Sequence, residues 1–254
     1  MYAEGSVPEE EGRYDRQGYM LGAQGGRGFR LVGSGELIEG AGGVGFGSGV
    51  APWFGDVRVT GLDHFEVSGI MAREIFCDRV HSVWIHDNLI GTGFRPSAGT
   101  LFESAPDTGI RLSPISAAGA VTLASTPNAT VERNRIWQPD VVGFSATGII
   151  VRSLAEDVQE GTSRAIIRNN VIRASDYGIE VITHGAPGLA EVWITDNLII
   201  GAANAGVRAW DGLPPEFAPI PGTVRINAFR GNVMRDVGQE LITDFRNSAS
   251  YVRH

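Results

Sequence analysis

Short segments of alternating apolar and polar residues recur along the chain, and turn-forming residues separate them. Val83 and Ile85 occupy alternate positions of one segment, so both would point to one side of a strand, while Trp84 and His86 point to the other. A later segment repeats this pattern, with Trp193 in the place of Trp84. Enrichment in Val and Ile favours strands. The pattern predicts many short strands joined by turns.

An Asn follows five of these strands, with an apolar residue three positions before it and another two positions after it. The five residues are Asn88, Asn134, Asn170, Asn197 and Asn232. Asn tolerates left-handed backbone and bonds its own main chain through the side-chain amide. Stacked asparagines also pass hydrogen bonds from one to the next. We therefore expect an internal column of asparagines at one corner of a stacked structure.

A second motif, Gly followed by a β-branched residue, alternates with the first. Its members are Gly69-Ile70, Gly109-Ile110, Gly148-Ile149, Gly178-Ile179 and Gly206-Val207. Gly is expected where a positive φ or a close approach of two backbones is required. This motif predicts another corner of the same coil.

The spacing of the asparagines indicates the length of one coil. Successive asparagines are 46, 36, 27 and 35 residues apart. Three short strands and three turns need roughly 20–30 residues, so the longer intervals contain insertions. Residues 91–107 and 211–222, rich in Gly, Pro and small residues, are predicted to be loops outside the coil. The absence of a 3.6-residue period disfavours helical and leucine-rich repeats, and the shortest interval is too short for a propeller blade.

Together, these two motifs resemble the repeats of right-handed parallel β-helices of the pectate-lyase-like superfamily. The resemblance covers about residues 57–245 and implies an all-β chain, a single-stranded right-handed parallel β-helix (solenoid) of about six coils. We assign residues 57–254 to the β-helix and residues 1–56 to a Gly-rich, partly irregular N-terminal segment or first coil. Because the superfamily includes lyases, hydrolases, epimerases, tailspikes and non-catalytic surface proteins, the resemblance implies the fold and not the activity.

Composition narrows the range of functions. The net charge is −8, and all 21 basic residues are Arg. A catalytic lysine is therefore excluded, and the acidity argues against nucleic acid as a partner. Cys77, the one cysteine, is expected to be a buried packing residue. No metal-ligand spacing of Cys or His is present, and we expect neither a metal nor another cofactor.

No apolar run is long enough to span a membrane, and no signal peptide begins the sequence. We expect an extracellular or cell-surface protein, whose signal has been removed or which is an internal piece of a longer chain. No amphipathic helix covers either end of the predicted β-helix. The chain is therefore either truncated or capped by association, and oligomerisation through the uncapped ends is expected.

Residues at equal distances from the corner Gly should form columns, because parallel strands stack in register. The residues two positions after each Gly are Met71, Arg111, Ile150, Glu180 and Arg208, and those four positions after are Arg73, Ser113, Arg152, Ile182 and Trp210. Both columns are predicted to point outward. One face is thus expected to gather Arg111, Arg152, Glu180, Arg208, Trp210, Asp211 and Asp244, with His184 at its rim.

Such a face would suit a polysaccharide or oligosaccharide as partner. Trp210 offers an apolar surface to a sugar ring, and arginines bind carboxylates in a bidentate manner. If the protein is a lyase, the cation beside a uronate carboxylate is predicted to be Arg208 or Arg152. His184 is then the predicted base and Tyr177 a weaker one.

Glu180 is a further candidate for proton transfer, although a simple ion pair with Arg208 on the next coil also explains it. Glu180 and Asp211 should have backbones roughly 11 Å apart, wider than the carboxyl spacing of retaining or inverting glycosidases. Two classes of function remain. One is a carbohydrate-active lyase or glycoside hydrolase. The other is a non-catalytic surface, tailspike-like or assembly module.

Overall fold

The computed structural model describes residues 3–4, 19–33, 37–40, 43–46, 53–91, 119–138, 146–154, 162–184, 188–211, 222–244 and 251–253. All of the regular secondary structure within these ranges is β-strand. In chain order the strands are β1 (Ala3–Glu4), β2 (Tyr19–Gly26), β3 (Phe29–Val32), β4 (Leu37–Gly40), β5 (Gly43–Phe46), β6 (Trp53–Leu62), β7 (His64–Ser68), β8 (Met71–Asp78), β9 (Ser82–His86), β10 (Leu89–Ile90), β11 (Gly119–Ala124), β12 (Asn128–Glu132), β13 (Arg135–Gln138), β14 (Thr147–Leu154), β15 (Thr162–Arg168), β16 (Val171–Ala174), β17 (Tyr177–His184), β18 (Leu189–Thr195), β19 (Leu198–Ile200), β20 (Ala205–Asp211), β21 (Thr223–Arg230), β22 (Val233–Arg235), β23 (Leu241–Asp244) and β24 (Tyr251–Arg253).

Parallel pairing between successive turns of the chain builds three faces. The first face contains β2, β6, β8, β11, β14, β17, β20 and β23, and the second contains β3, β7, β9, β12, β15, β18, β21 and β24. The third face consists of the short strands β10, β13, β16, β19 and β22. The long strand β8 pairs with both β10 and β11, so the first and third faces are continuous there.

The pairing gives one coil from β2, β3 and the start of β6, and six coils after it. The six are end of β6–β7–start of β8, end of β8–β9–β10, β11–β12–β13, β14–β15–β16, β17–β18–β19 and β20–β21–β22, and β23 and β24 form a partial coil in the described residues. The predicted fold class is therefore confirmed. The boundary between residues 1–56 and 57–254 stays a prediction, and residues 212–221 of the predicted loop lie outside the described ranges.

Side chains from alternate positions of each strand fill the interior. Val83 and Ile85 are buried, whereas Trp84 is 37% exposed, as the alternating pattern predicts. Trp84 and Trp193 also share one outward column, through Thr130 and Ile166. Cys77 is fully buried, and burial raises the pKa of its thiol, so it is the packing residue that we expected.

The predicted Asn column is an uninterrupted ladder at the corner between the second and third faces. The amide nitrogen of Asn134 donates to Oδ1 of Asn170 at 3.1 Å, and the backbone N–H of Asn134 donates to the same oxygen at 3.0 Å. Asn170 repeats both bonds to Asn197. Each amide also donates to a carbonyl of the preceding coil, as Asn170 does to Val131 at 2.9 Å. The buried corner is thus fully hydrogen-bonded.

Left-handed backbone occurs one position before each Asn and not at the Asn itself. Arg133, Asn169 and Asp196 have φ values of 53°, 54° and 56°. Turning the chain at this residue points the following Asn into the corner, where its amide meets the next coil. The sequence reasoning had assigned the left-handed conformation to the Asn.

Gly69 was expected in the Gly column, and this was wrong. The N–H of Ile70 donates to Oδ1 of Asn88 at 3.1 Å, and Gly69 has a φ of 66°, so this pair begins the Asn ladder instead. Consequently Met71 pairs with Leu89. The positions that Met71 and Arg73 were expected to take belong to Phe76 and Asp78, which align through β11 with Ile150 and Arg152. Gly109, Arg111 and Ser113 lie outside the described residues.

The remaining members of the Gly column, Gly148, Gly178 and Gly206, are required for close packing. A Cβ added at Gly178 would lie 2.6 Å from the carbonyl oxygen of Gly206 on the next coil. Gly148 has the same distance to the carbonyl oxygen of Gly178. Neither Gly148 nor Gly178 has a positive φ. The absence of a side chain is what lets these coils stack.

Replacing Asn170 with Ala should lower the free energy of unfolding by roughly 1–3 kcal/mol, because buried main-chain groups of two coils lose their partners. Urea denaturation followed by circular dichroism measures this. The control is Asn128→Ala, since Asn128 is exposed and makes one 3.4 Å bond to the carbonyl of His81. Equal unfolding midpoints for the two variants would contradict a stabilising ladder.

Gly178→Ala should destabilise the fold by roughly 1–3 kcal/mol, because the added methyl group overlaps a backbone oxygen. Gly28→Ala is the matched control. At Gly28 an added Cβ would be 3.7 Å from its nearest neighbours, which is ordinary contact. Thermal unfolding of both variants tests this, and a Gly178→Ala midpoint as high as that of the control would show that the coils adjust without cost.

Candidate functional site

The two predicted columns lie side by side on the outer side of the first face. Glu180 of β17 pairs with Ile150 of β14 on one side and with Arg208 of β20 on the other. Trp210 pairs with Ile182 and Asp244. This register brings Glu180, Arg208 and Trp210 to adjacent coils, as the spacing from the corner Gly indicated.

Arg208 is the centre of a compact cluster on this face. Its guanidinium carbon lies 4.1 Å from the ring centroid of Trp210 and 5.0 Å from that of Tyr177. Its Nη1 lies 3.4 Å from Oε1 of Glu180. Thr147 completes the cluster by donating its hydroxyl to Oε2 of Glu180 at 2.8 Å. The arginine is thus oriented by two aromatic rings and one carboxyl group.

Glu180 is a buried carboxyl group, with 5% of its surface exposed. Burial raises the pKa of Glu180 above its ordinary value, because the charged form loses its hydration. The hydrogen bond from Thr147 and the charge of Arg208 oppose this rise without cancelling it. A carboxyl group of this kind exchanges protons at a higher pH than an exposed one, which is a property of many catalytic acids and bases.

Arg152 belongs to a second cluster, nearer the N-terminal end of the same face. Its guanidinium carbon lies 5.5 Å from the ring centroid of Phe76, and the guanidinium of Arg58 lies 5.9 Å from the same ring. Burial lowers the pKa of Arg152, while the charges of Asp78 and Glu74 oppose the decrease. The structure therefore associates Arg152, on the strand next to Glu180, with residues that the sequence reasoning did not name.

Four other predicted site residues are less fully described. His184 pairs with Leu154 at the end of β17, Asp211 pairs with Thr183, and Asp244 pairs with Trp210. His184, Asp211 and Asp244 are thus the last residues of their strands, and Asp211 alternates with outward Trp210 on β20. The description does not extend to the three side chains, and Arg111 lies outside the described ranges.

Several outward positions of the first face are buried, although the strand pattern predicts an open surface there. Thr122, Ile150 and Ile182 all have almost no contact with solvent. The half-buried residues Tyr177, Arg208 and Trp210 remain accessible beside them. A ligand on this face would therefore meet the Arg208 cluster first and not a long open groove.

The outer side of the second face has a concave surface that the sequence reasoning did not identify. A concave region of about 420 Å³ lies there, and its lining includes Trp84, Ile166, Trp193, Arg164 and Asn128. The alignment of the two tryptophans was recognised from sequence, but it was interpreted only as repeat structure. An outward Trp recurring at the same strand position was the signal that could have identified this surface.

A network of charges borders that region. Buried Glu132 accepts hydrogen bonds from Trp84 Nε1 at 3.1 Å and from Arg168 Nε at 2.7 Å, and its Oε1 lies 2.7 Å from Nη1 of Arg133. Burial alone would raise the pKa of Glu132, but these donors lower it below its ordinary value. Asp87 lies 2.9 Å from Arg133 and extends the network.

Among the described residues, no three or more His, Cys, Asp and Glu side chains are grouped so as to hold a metal ion. The described residues also contain no helix with the length and apolarity that crossing a membrane requires.

The comparisons with known proteins agree with this geometry at the level of the family. The family model described as a right-handed β-helix region matches residues 66–217, which is more than half of the chain. The chain therefore belongs to the right-handed β-helix family. No curated protein and no solved structure matches it significantly.

The two buried carboxyl groups should affect stability in opposite ways as pH changes. Glu180 has a raised pKa, so above the ordinary value of 4.5 the native state holds a proton that the unfolded state has lost, and stability falls as pH rises through this window. Glu132 has a lowered pKa, so its stabilisation is present above 4.5 and is lost as pH falls.

Urea unfolding of Glu180→Gln and Glu132→Gln across a pH series tests this. Relative to wild type, Glu180→Gln should gain stability as pH rises above 4.5. The destabilisation of Glu132→Gln relative to wild type should disappear as pH falls below the same value. Differences that are flat with pH for both variants would contradict the described environments.

Proposed function

We propose that the protein binds and acts on a carboxylate-bearing polysaccharide at the Arg208 cluster of the first face. The observation that supports this most directly is the pairing of Arg208 with Glu180, a buried carboxyl group with a raised pKa. Family membership is compatible with this proposal but does not select it, because one fold serves many functions.

Arg208 would bind the carboxylate of the sugar. Its guanidinium is planar and lies against Trp210 and Tyr177, so its orientation is fixed before a ligand arrives. When Glu180 is protonated, a ligand carboxylate supplies the negative charge that Arg208 otherwise receives from Glu180. Ligand binding and proton uptake at Glu180 would then be coupled.

Glu180 would serve as the acid or base of the reaction. A general acid–base catalyst is most effective when its pKa lies near the working pH, and burial moves Glu180 in that direction. In a lyase reaction, Arg208 stabilises the carboxylate while a base removes the neighbouring carbon-bound proton and the glycosidic oxygen departs. His184, at the end of β17, stays a proposed alternative base, and Asp211, Asp244 and Trp210 are proposed to contact the sugar chain.

The rival function is a non-catalytic module. It is favoured by the contacts that Arg208 makes within the protein, with Glu180 and two aromatic rings, because such a cluster can simply join adjacent coils. For either function the proposed location is extracellular or at the cell surface, where such polysaccharides are met.

The test is incubation with a panel of uronate-containing and neutral polysaccharides, followed by absorbance of unsaturated products and by reducing-end release. Arg208→Ala should reduce turnover by roughly 100-fold or more, because a positive charge beside the reacting carboxylate is lost. The control is Arg173→Ala, since Arg173 also lies over an indole ring, that of Trp137 at 5.3 Å, but on the third face.

Circular dichroism of both variants verifies the fold. If wild type cleaves no member of the panel and binds no charged polysaccharide, the proposed activity is wrong and the non-catalytic module is the better account. If cleavage occurs and Arg208→Ala leaves it unchanged, the activity lies elsewhere on the molecule.

A further inference from the structure

An apolar stripe one residue wide crosses four neighbouring strands on the outer side of the second face. Its members, in register from β9 to β18, are Trp84, Thr130, Ile166 and Trp193. Trp84 is 37% exposed and Ile166 is 41% exposed. Both side chains point away from the core, so core packing does not require an apolar residue at either position.

The stripe has defined ends. Beyond Trp84 the next residue of the column is Glu66, which carries a charge, and beyond Trp193 it is Ala228, which has almost no side chain. A register shift occurs beside Trp193, where the pairing with β21 is irregular. Three strand spacings separate the two indoles, roughly 14 Å along the axis of the β-helix. The stripe is therefore a short, straight platform.

Trp84 is held in one orientation. Its Nε1 donates to buried Glu132 at 3.1 Å, and the ring of His86 stacks on it with centroids 3.9 Å apart. The indole also lines the concave region that contains Trp193. A side chain fixed in this way loses little conformational entropy when a ligand binds.

Charged rows border the stripe on both sides, and the charged groups in them are engaged in ion pairs. On one side Glu191 bridges Arg164 and Arg225, at 2.6 Å and 3.2 Å. On the other side Glu132 bridges Arg168 and Arg133. A charged ligand would gain little from such paired rows. Groups that both donate and accept hydrogen bonds, such as hydroxyls, would meet suitable partners in them.

We propose that this stripe binds a stretch of neutral, linear glycan lying along the β-helix axis. A sugar ring has an apolar C–H surface for an indole and hydroxyl groups at its edge, which match the stripe and its polar borders. The exposed side chains of His64 and Asn128 line the same concave region and add further polar contacts. This second-face site is independent of the proposed first-face site, which selects a carboxylate.

A protein partner fits this surface less well. The central part of a protein interface is broad and poor in charged residues. Here the apolar strip is one residue wide, and ion pairs lie directly on either side of it. The dimensions and the charge pattern favour a narrow chain over a globular partner.

Isothermal titration calorimetry with hexasaccharides of neutral linear glycans, namely cello-, manno-, xylo- and laminarihexaose, tests the proposal, with hexagalacturonate as the charged comparison. At least one neutral hexasaccharide should bind, with little dependence on salt. Trp193→Ala and Trp84→Ala should each weaken binding roughly 3- to 10-fold, through loss of one ring contact. Ile166→Asn, at an exposed position, provides a variant that does not disturb the contacts of Glu132.

The control is Trp137→Ala, because Trp137 is also 37% exposed but lies on the third face. Binding should be unchanged in Trp137→Ala and in Arg208→Ala, which separates this site from the first face. The proposal is overturned if no neutral hexasaccharide binds, or if the Trp193→Ala and Ile166→Asn variants bind as wild type does. It is also overturned if sedimentation shows a wild-type dimer that both variants dissociate, since the stripe would then join two copies of the chain.

Discussion

Hydrogen bonding between successive asparagines at one internal corner determines how the rest of the structure is arranged. From Asn134 onward, each Asn side chain accepts two hydrogen bonds from the preceding coil and donates to one of its carbonyls, which aligns each coil with the next. A shift by one residue would move every inward side chain outward. The Asn ladder therefore fixes the columns on all three faces, including the one that brings Glu180 beside Arg208.

The two candidate surfaces use charge differently. On the first face, Glu180 is desolvated and its pKa rises, so its charge is sensitive to whatever binds nearby. On the second face, Glu132 is equally buried, yet three donors hold it as a carboxylate. The first arrangement suits proton exchange, whereas the second gives a rigid border to an apolar stripe. Two guanidiniums, those of Arg168 and Arg133, face Glu132. Among the described residues Glu180 has only that of Arg208, so the cost of desolvation outweighs the donors at Glu180 alone.

Sequence reasoning could predict the fold and the columns wherever the repeat was regular. Between β14 and β20 the corner Gly gave the register of Glu180 and Arg208. Sequence reasoning failed at Gly69, because a Gly-Ile pair can occupy either of two different corners. One corner requires a positive φ, and the other requires two backbones to lie close together. Nor could sequence reasoning show that Arg152 associates with Phe76 and not with Glu180. That preference depends on side-chain packing between coils, and the position of a residue in a column gives no information about this packing.

The Asn ladder also has a direction. Each amide from Asn88 to Asn197 donates to the Asn of the following coil, and this row ends at Asn232. The row of hydrogen bonds therefore has a donor end and an acceptor end, which are chemically different. Two copies that met through their ends could continue this row only head to tail, which is a heterologous contact. Such a contact joins two different surfaces, so it differs in kind from the self-complementary contact of a symmetric pair.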